Sequence, residues 1–252
     1  MQAMIFAAGL GTRLRPLTDD RPKALVEVAG MTMLERVIRR LVAAGVSKIV
    51  VNVHHFGEKI IDFLATHDFG IAIAVSDERD FLLDTGGGVV KALRLFNDDE
   101  PVLLYNADIL SDFSIEKMLD FHTKTGADST ILVADRETTR YFVFDSAMRL
   151  RGWTNVATGE IKPAALASEI SALKKLAFGG VHILSPSIFK PLTEYASALP
   201  AELNGKFSIT PFYVNSCGTL DIRGYVPSEA YNWYDVGKIE TLREAETHLK
   251  GQ

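Results

Sequence analysis

The chain has 252 residues, of which 47% are apolar and 9% aromatic, and its formal net charge is −5. This length and apolar content suffice for one sizeable hydrophobic core, and the negative charge excludes the broad basic surface of a typical nucleic-acid binder. Because no run of about 18 apolar residues and no signal-peptide pattern are present, we expect a cytoplasmic protein with neither a membrane nor a nucleic-acid partner.

Apolar segments of strand length alternate with helix-period segments as far as about Ala134. This alternation predicts an α/β fold whose mostly parallel sheet is flanked by helices. The predicted strands lie at residues 4–7, 48–53, 71–75 and 101–105. They are rich in Val, Ile or Leu at both odd and even positions, as is typical of strands buried on both faces. Helices are predicted at 33–44, where Thr32 and Glu35 have capping-box spacing, at 85–96, and after Ser114.

The alternation of strand and helix patterns ends beyond residue 127. Strands predicted at 128–134, 141–144, 150–154 and 177–184 are separated by too little chain for crossover helices, which indicates mixed or antiparallel pairing. Residues 157–175 are small, polar and weakly patterned, and predict a long surface excursion. A helix near 209–216, a strand near 219–226 and a helix at 238–248 complete the chain. No repeat or linker divides it, so we predict a single domain over residues 1–252.

The first predicted strand leads into a small-residue turn and then a group of cations. Gly9 and Gly11 would let backbone N–H groups approach phosphate oxygens, and the cations that follow are Arg13, Arg15, Arg21 and Lys23. A dinucleotide fingerprint would need a third glycine where Leu14 stands, and a Walker A motif would need a glycine-lysine-serine/threonine run. The alternative interpretation is an ordinary glycine-containing turn between strand and helix that binds no ligand.

The turn and the segment Pro22-Lys23-Ala24-Leu25 together resemble the signature of the sugar-1-phosphate nucleotidyltransferases, AAGxGTRLRPLT followed by PKxL. The resemblance implies a Rossmann-like, glycosyltransferase-A-like domain with a central mixed sheet, a nucleotide-binding half at 1–127 and a sugar-binding half, with a small antiparallel part, at 128–252. It implies transfer of a nucleotidyl group to a sugar 1-phosphate with release of pyrophosphate. Arg13 and Lys23 would then be catalytic, and the residues around the triphosphate would be Ala7, Ala8, Gly9, Gly11, Thr12 and Arg13.

A glycine run at residues 83–88 precedes a predicted helix, where free N–H groups and absent side chains would admit a base or ribose. It resembles the family's xTGGG element, which implies base-pocket roles for Thr85, Gly86 and Gly87, although Asp84 replaces the more familiar glutamate. A glycine-rich helix start without a ligand is the alternative.

Two acidic residues are candidates for a metal site. Asp108 follows a buried strand in Asn106-Ala107-Asp108, which resembles the family's N-G-D element and implies a nucleotide contact for Asn106. Asp235 lies in Trp233-Tyr234-Asp235-Val236-Gly237, which resembles W-x-D-V-G. Carboxylates from two distant segments suit Mg²⁺, which binds few protein oxygens and keeps positions for water and phosphate, so the expected cofactor is Mg²⁺.

The expected sugar contacts are Gly180, in a segment that resembles the family's F-x-G element, and Asn155. A strand with a bulge at Gly179 is the alternative, and His182, in an apolar run, is predicted to be a core residue. The family's E-K-P element has only an interrupted counterpart, Glu160-Ile161-Lys162-Pro163.

Within the family, the short length and the xTGGG element look closest to the N-acetylmuramate 1-phosphate uridylyltransferases, which implies UTP as nucleotide. Mannose 1-phosphate guanylyltransferase is the rival activity. A non-catalytic nucleotide-sugar-binding regulator and a dehydrogenase are alternatives from other classes, and no pattern in the sequence indicates an oligomeric state.

Overall fold

Strands and helices alternate through residues 1–251, which are described by this computed structural model. The strands are β1 Gln2–Phe6, β2 Glu27–Val28, β3 Met31–Thr32, β4 Ile49–Val53, β5 Ile73–Asp77, β6 Val102–Asn106, β7 Ile109–Ser111, β8 Ser129–Ala134, β9 Arg140–Phe144, β10 Leu150–Asn155, β11 Glu160–Lys162, β12 Lys174–Leu184, β13 Ile222–Tyr225 and β14 Trp233–Asp235. The α-helices are α1 Met33–Ala43, α2 Gly57–Thr66, α3 Asp84–Ala92, α4 Ile115–Thr125, α5 Phe189–Ser197, α6 Ile209–Ser216 and α7 Ile239–Lys250. The predicted α/β class is confirmed.

The chain forms two compact units, neither of which is continuous in sequence. The first, unit 1, comprises Met1–Leu83, Lys91–Phe113 and the segment that begins at Glu229. The second, unit 2, comprises Asp84–Val90 and Ser114–Ser228. Each unit has its own buried apolar residues.

Unit 1 contains a parallel sheet in the order β6-β1-β4-β5. Strands β1, β4 and β6 are buried along almost their whole length, as is typical of strands covered on both faces. Three central residues of β1, Ala3, Met4 and Ile5, are fully buried. The chain runs from β1 through β4 to β5 and then places β6 on the opposite side of β1. Such a reversal of strand order opens a crevice at the carboxyl ends of the two strands beside it, here β1 and β6.

The C-terminal segment joins unit 1 beside that crevice. Strand β14 pairs antiparallel with β7, which aligns Asp235 with Ile109. Leu14, Val236 and Leu242 belong to one buried apolar cluster. The turn after β1 and the segment around Asp235 are therefore held by a shared core.

Unit 2 has the mixed pairing that its closely spaced strands predict. Strand β12 pairs antiparallel with β8 and with β9, β10 pairs antiparallel with β9 and β11, and β13 runs parallel to β8. Residues 157–175, predicted as a surface excursion, include β11 and two 3₁₀ turns, Ala164–Ser168 and Ile170–Ala172. The hairpin of β10 and β11 is supported by the Thr154 hydroxyl, which donates to the carbonyl of Glu160 at 2.9 Å.

The capping signals agree with the observed helix starts. Thr32 accepts a hydrogen bond from the backbone N–H of Glu35 at 3.2 Å at the start of α1, and Ser114 accepts one from Lys117 at 3.0 Å at the start of α4. The helix predicted at 85–96 ends earlier, at Ala92, and a 3₁₀ turn, Leu93–Leu95, follows it. None of the helices among residues 1–251 combines the length and the hydropathy needed to cross a membrane.

Candidate functional site

The turn after β1 occupies the carboxyl end of that strand in unit 1. Gly11 has a φ of +67°, and a Cβ there would lie 3.0 Å from Cβ of Lys23 and 3.1 Å from Cγ2 of Thr18. Thr18 closes the turn by donating its hydroxyl to the carbonyl of Gly11 at 2.9 Å. Gly11 is therefore required both by its left-handed backbone and by the closeness of its neighbours.

Gly9 differs from Gly11 in its surroundings. It is exposed, and a Cβ at Gly9 would meet no protein atom within 4 Å. Packing within the chain therefore does not explain a glycine at this position, whereas close approach of a ligand to the backbone would explain it.

Arg13 and Asp235 converge on one backbone position of unit 1, although they are far apart in sequence. A Cβ at Gly237 would lie 2.7 Å from Oδ1 of Asp235 and 2.8 Å from Nη2 of Arg13. Gly237 ends the W-x-D-V-G element, but the sequence alone predicts no role for it. The absence of a side chain at this glycine makes room for both charged groups.

Lys23 and Asp108 form an ion pair between Nζ and Oδ2. Both side chains are mostly shielded, with exposed fractions of 13% and 25%. Lys23 opens a 3₁₀ turn after Pro22, while Asp108 lies just past the end of β6. The predicted catalytic cation and the first predicted metal ligand are thus direct partners in this structure.

The two predicted metal ligands lie on neighbouring backbone segments. The N–H of Val236 donates to the carbonyl of Asp108 at 2.8 Å, directly beside the β7–β14 ladder. Oδ1 of Asp235 is buried and has no hydrogen-bond partner within residues 1–251. A buried carboxylate oxygen without a donor is costly unless a cation or a donor outside the chain satisfies it.

This arrangement fits the donor chemistry of Mg²⁺. No group of three or more His, Cys, Asp or Glu side chains that could hold a metal occurs among the described residues, so a metal held by Asp108 and Asp235 would take its other ligands from water and phosphate. Mg²⁺ commonly binds in this way, through one or two carboxylates together with substrate phosphates.

A chain of buried polar residues, which no sequence motif indicated, supports the start of the turn after β1. Asn52, at 2% exposure, accepts the N–H of Ala7 at 2.8 Å and donates its amide to Glu78 at 2.8 Å. Glu78, at 1% exposure, accepts the N–H of Leu83 through its other oxygen at 3.1 Å. Burial raises the pKa of the Glu78 carboxyl, while the hydrogen bonds from Asn52 and Leu83 oppose that rise.

The Ala7 N–H is therefore already bonded within the chain. Any contact of Ala7 with a nucleotide has to use its carbonyl or its methyl group. Ala8 is buried like Ala7, and Thr12 begins a 3₁₀ turn, Thr12–Leu14. Across the crevice, Asn106 ends β6 opposite Phe6 of β1.

The glycine run of unit 2 has a structural explanation that the sequence did not reveal. The N–H groups of Gly86 and Gly87 both donate to the carbonyl of Phe207, at 2.9 and 3.2 Å. A Cβ on Gly86 would lie 2.3 Å from the Phe207 ring, and the Thr85 hydroxyl accepts the N–H of Ile209 at 3.0 Å. The expectation that these two N–H groups are free was therefore wrong, because Phe207, far away in sequence, takes both.

The predicted sugar-side residues lie on different strands of unit 2. Gly180 has a φ of +77° in β12, within the register shift between Phe178 and His182, so a bulge is present as the alternative interpretation held. Asn155 ends β10, and its side-chain oxygen accepts the N–H of Ala157 at 3.0 Å in the hairpin turn. The contacts of both residues with a sugar stay predictions.

Comparison with known proteins identifies the family. Residues 2–252 match the family model described as nucleotidyl transferase. The chain belongs to this family. It is 34% identical to an N-acetylmuramate alpha-1-phosphate uridylyltransferase of Caulobacter vibrioides, over 98% of this chain and 96% of that protein. It is 43% identical to a mannose-1-phosphate guanyltransferase of Gibberella zeae; the match covers 54% of this chain and 38% of that larger protein.

The fold is shared with a solved UDP-glucose pyrophosphorylase in its apo form, with a TM-score of 0.79, 17% identity and coverage of 100% of this chain and 98% of that one. The family resemblance and the enzyme class expected from the sequence are confirmed. Four residues of unit 1 that the motifs predict lie at or beside the carboxyl ends of β1 and β6. They are Arg13, Lys23, Asp108 and Asp235.

Proposed function

We propose that this nucleotidyltransferase transfers a uridylyl group from UTP to a sugar 1-phosphate, N-acetylmuramate 1-phosphate in particular, in a reaction that depends on Mg²⁺. The products are the UDP-sugar and pyrophosphate. The reaction belongs in the cytoplasm, as the sequence predicts.

One observation carries the proposal: the ion pair of Lys23 with Asp108 lies beside the backbone of Val236, next to the point where Arg13 and Asp235 meet. Two cations and two carboxylates thus surround the crevice between β1 and β6, where open α/β sheets bind their ligands. This combination suits a triphosphate with a metal better than it suits a dinucleotide cofactor.

The reaction needs charge compensation more than it needs a base. An oxygen of the sugar 1-phosphate attacks the α phosphorus, the new P–O bond forms, and the bond from that phosphorus to the β-phosphate oxygen breaks. The attacking monoester has a second pKa of about 6 and is already largely a dianion at neutral pH. Lys23 and Arg13 offset the repulsion between the two anionic substrates. They also stabilise the negative charge that gathers on the leaving pyrophosphate.

Mg²⁺, when bound, would neutralise part of the phosphate charge. Asp108 and Asp235 are the residues that would hold it. Since Lys23 is paired with Asp108, the triphosphate also gives Lys23 an anionic partner when Asp108 binds the metal. We expect Asp108→Asn and Asp235→Asn each to raise the Mg²⁺ concentration needed for half-maximal activity. Unchanged activation curves in both variants would contradict the metal assignment.

The choice of substrate rests on the comparisons. The uridylyltransferase of Caulobacter vibrioides and this chain cover each other almost completely, whereas the guanyltransferase of Gibberella zeae is a much larger protein that this chain matches in part. The alternative activity is therefore transfer of a guanylyl group to mannose 1-phosphate. A regulator that binds nucleotide-sugars without turnover is the alternative of another class.

The deciding experiment measures pyrophosphate release from UTP, GTP, CTP and dTTP against a panel of sugar 1-phosphates that includes N-acetylmuramate and mannose 1-phosphate, with Mg²⁺ present. We expect the fastest release with UTP and N-acetylmuramate 1-phosphate, and none when either substrate is omitted. Preference for GTP with mannose 1-phosphate would select the alternative activity. Binding of a nucleotide-sugar with no release across the whole panel would refute catalysis.

A further inference from the structure

The buried pair Asn52 and Glu78 connects two segments of unit 1, the turn that begins at Ala7 and the segment that ends at Leu83. Asn52 accepts a hydrogen bond from the N–H of Ala7, the first residue of the proposed phosphate-binding turn. Glu78 accepts a hydrogen bond from the N–H of Leu83, which stands two residues before Thr85 in sequence. Both side chains are almost fully buried, so water does not compete for these hydrogen bonds.

The hydrogen bonds of this pair have only one arrangement. Oδ1 of Asn52 accepts from Ala7, so its amide nitrogen is the group that donates to Glu78. Glu78 therefore accepts from two donors, the Asn52 amide and the Leu83 N–H, one at each oxygen. An ionised carboxylate satisfies both donors, whereas a glutamine or a protonated carboxyl presents a hydrogen to one of them.

We propose that Asn52 and Glu78 are positioning residues for the nucleoside triphosphate, which they affect through the backbone at Ala7 and Leu83 without contacting the substrate. Neither residue belongs to the motifs from which the site was predicted. This inference rests on the proposed nucleotide site and adds to it the residues that set its backbone geometry.

The geometry allows a test in which the pair is damaged and then repaired. Glu78→Gln leaves one buried donor facing another donor, and Asn52→Asp places two carboxylates against each other; both arrangements are unfavourable in a buried site. In the double variant Asn52→Asp/Glu78→Gln, the introduced carboxylate would accept from Ala7 and from the introduced amide, whose own oxygen would accept from Leu83. Every hydrogen bond and the net charge are then restored.

The experiment uses the whole chain and measures two quantities in each protein: the Kd for UTP by calorimetry and the KM values for both substrates in the pyrophosphate assay. We expect each single variant to raise the Kd and KM for the nucleotide about tenfold and to leave the KM for the sugar 1-phosphate within twofold. The double variant should return to within about threefold of the wild type. Asp62→Asn, which removes one exposed carboxylate from α2, is the matched control and should change nothing.

Several outcomes would overturn the inference. Single variants that bind UTP as the wild type does would refute it, and so would single variants that melt at lower temperature with both KM values raised equally, because that pattern indicates a general structural role. A double variant no better than the worse single variant would also refute the proposed geometry. Wild-type protein that binds UTP but releases no pyrophosphate would refute the proposed function alone. The Kd values of the variants would still test whether Asn52 and Glu78 position the nucleotide.

Discussion

Gly237→Ala tests whether the convergence of Arg13 and Asp235 matters for catalysis. The added Cβ would lie 2.7 Å from Oδ1 of Asp235 and 2.8 Å from Nη2 of Arg13, closer than real Cβ atoms come to other groups, so at least one group has to move by several tenths of an ångström. Arg13 can turn its flexible side chain away, whereas the backbone of Asp235 is held in register by β7.

Displacements of this size in a catalytic arrangement are costly, since about 1 Å of misplacement can lower a rate roughly 10²-fold. We expect Gly237→Ala to lower kcat for pyrophosphate release by about 10- to 10²-fold and to raise the Mg²⁺ concentration for half-maximal activity. The φ of Gly237 lies outside the left-handed region, so alanine adds no backbone strain, and overpacking alone costs about 1–3 kcal/mol of stability.

The assay compares steady-state kinetics and thermal unfolding of Gly237→Ala with those of Gly218→Ala. A Cβ on Gly218 would meet no atom within 4 Å, so this control should keep wild-type rates and wild-type Tm. A folded Gly237→Ala protein with kcat and Mg²⁺ dependence within twofold of the wild type would refute the placement of Arg13 and Asp235 in the active site.

Four further outcomes are expected. Lys23→Ala lowers turnover by about 10²-fold or more, the scale of losing one preorganised transition-state contact; near-normal pyrophosphate release by the folded variant would contradict this role. Asp235→Asn keeps or raises Tm in thermal unfolding while activity falls, because its buried Oδ1 has no partner to lose among residues 1–251; a large drop in Tm would instead indicate a structural carboxylate. Gly9→Ala leaves Tm unchanged but raises the KM for the nucleotide, whereas Gly11→Ala lowers stability by about 1–3 kcal/mol through its left-handed backbone; equal behaviour of the two would remove the distinction. Burial lowers the pKa of His122 from 6.5 to about 4, so the stability that depends on its neutral form is complete above pH 6.5 and falls by about 3 kcal/mol as pH drops to 4. Urea unfolding of His122→Asn across that range should show a correspondingly shallower dependence on pH, and an unchanged slope would refute the assignment.

The sequence predicted the parts of the fold that depend on local patterns. The β1 and β4 strands and helix α1 were predicted to within a residue or two of their observed ends, because doubly buried strands and a capped amphipathic helix have strong local signals. Helices α2 and α5 were not located individually. Phe56, in a left-handed conformation, precedes α2 without a side-chain cap, and no capping side chain precedes α5.

The candidate site shows the same division between local and long-range information. Lys23, Asp108 and Asp235 can be predicted from motifs alone, since each motif is short and continuous in the sequence. The packing of Gly86 against the ring of Phe207 could not be predicted, because the two residues are far apart in sequence. Asn52 and Glu78 were missed because single polar residues at strand ends are usual, and only their burial in contact distinguishes them.

The discontinuity of unit 1 has a consequence for how the enzyme is made. Asp108 emerges from the ribosome before Ser114–Ser228, the larger segment of unit 2, whereas Asp235 and α7 emerge after it. The apolar cluster shared by Leu14 and Leu242 joins residues from opposite ends of the sequence, and contacts of such high sequence separation form slowly. During synthesis the turn after β1 therefore lacks its partner segment until late, and a nascent chain contains both residues of the proposed metal site only after the intervening segment of unit 2 has been translated.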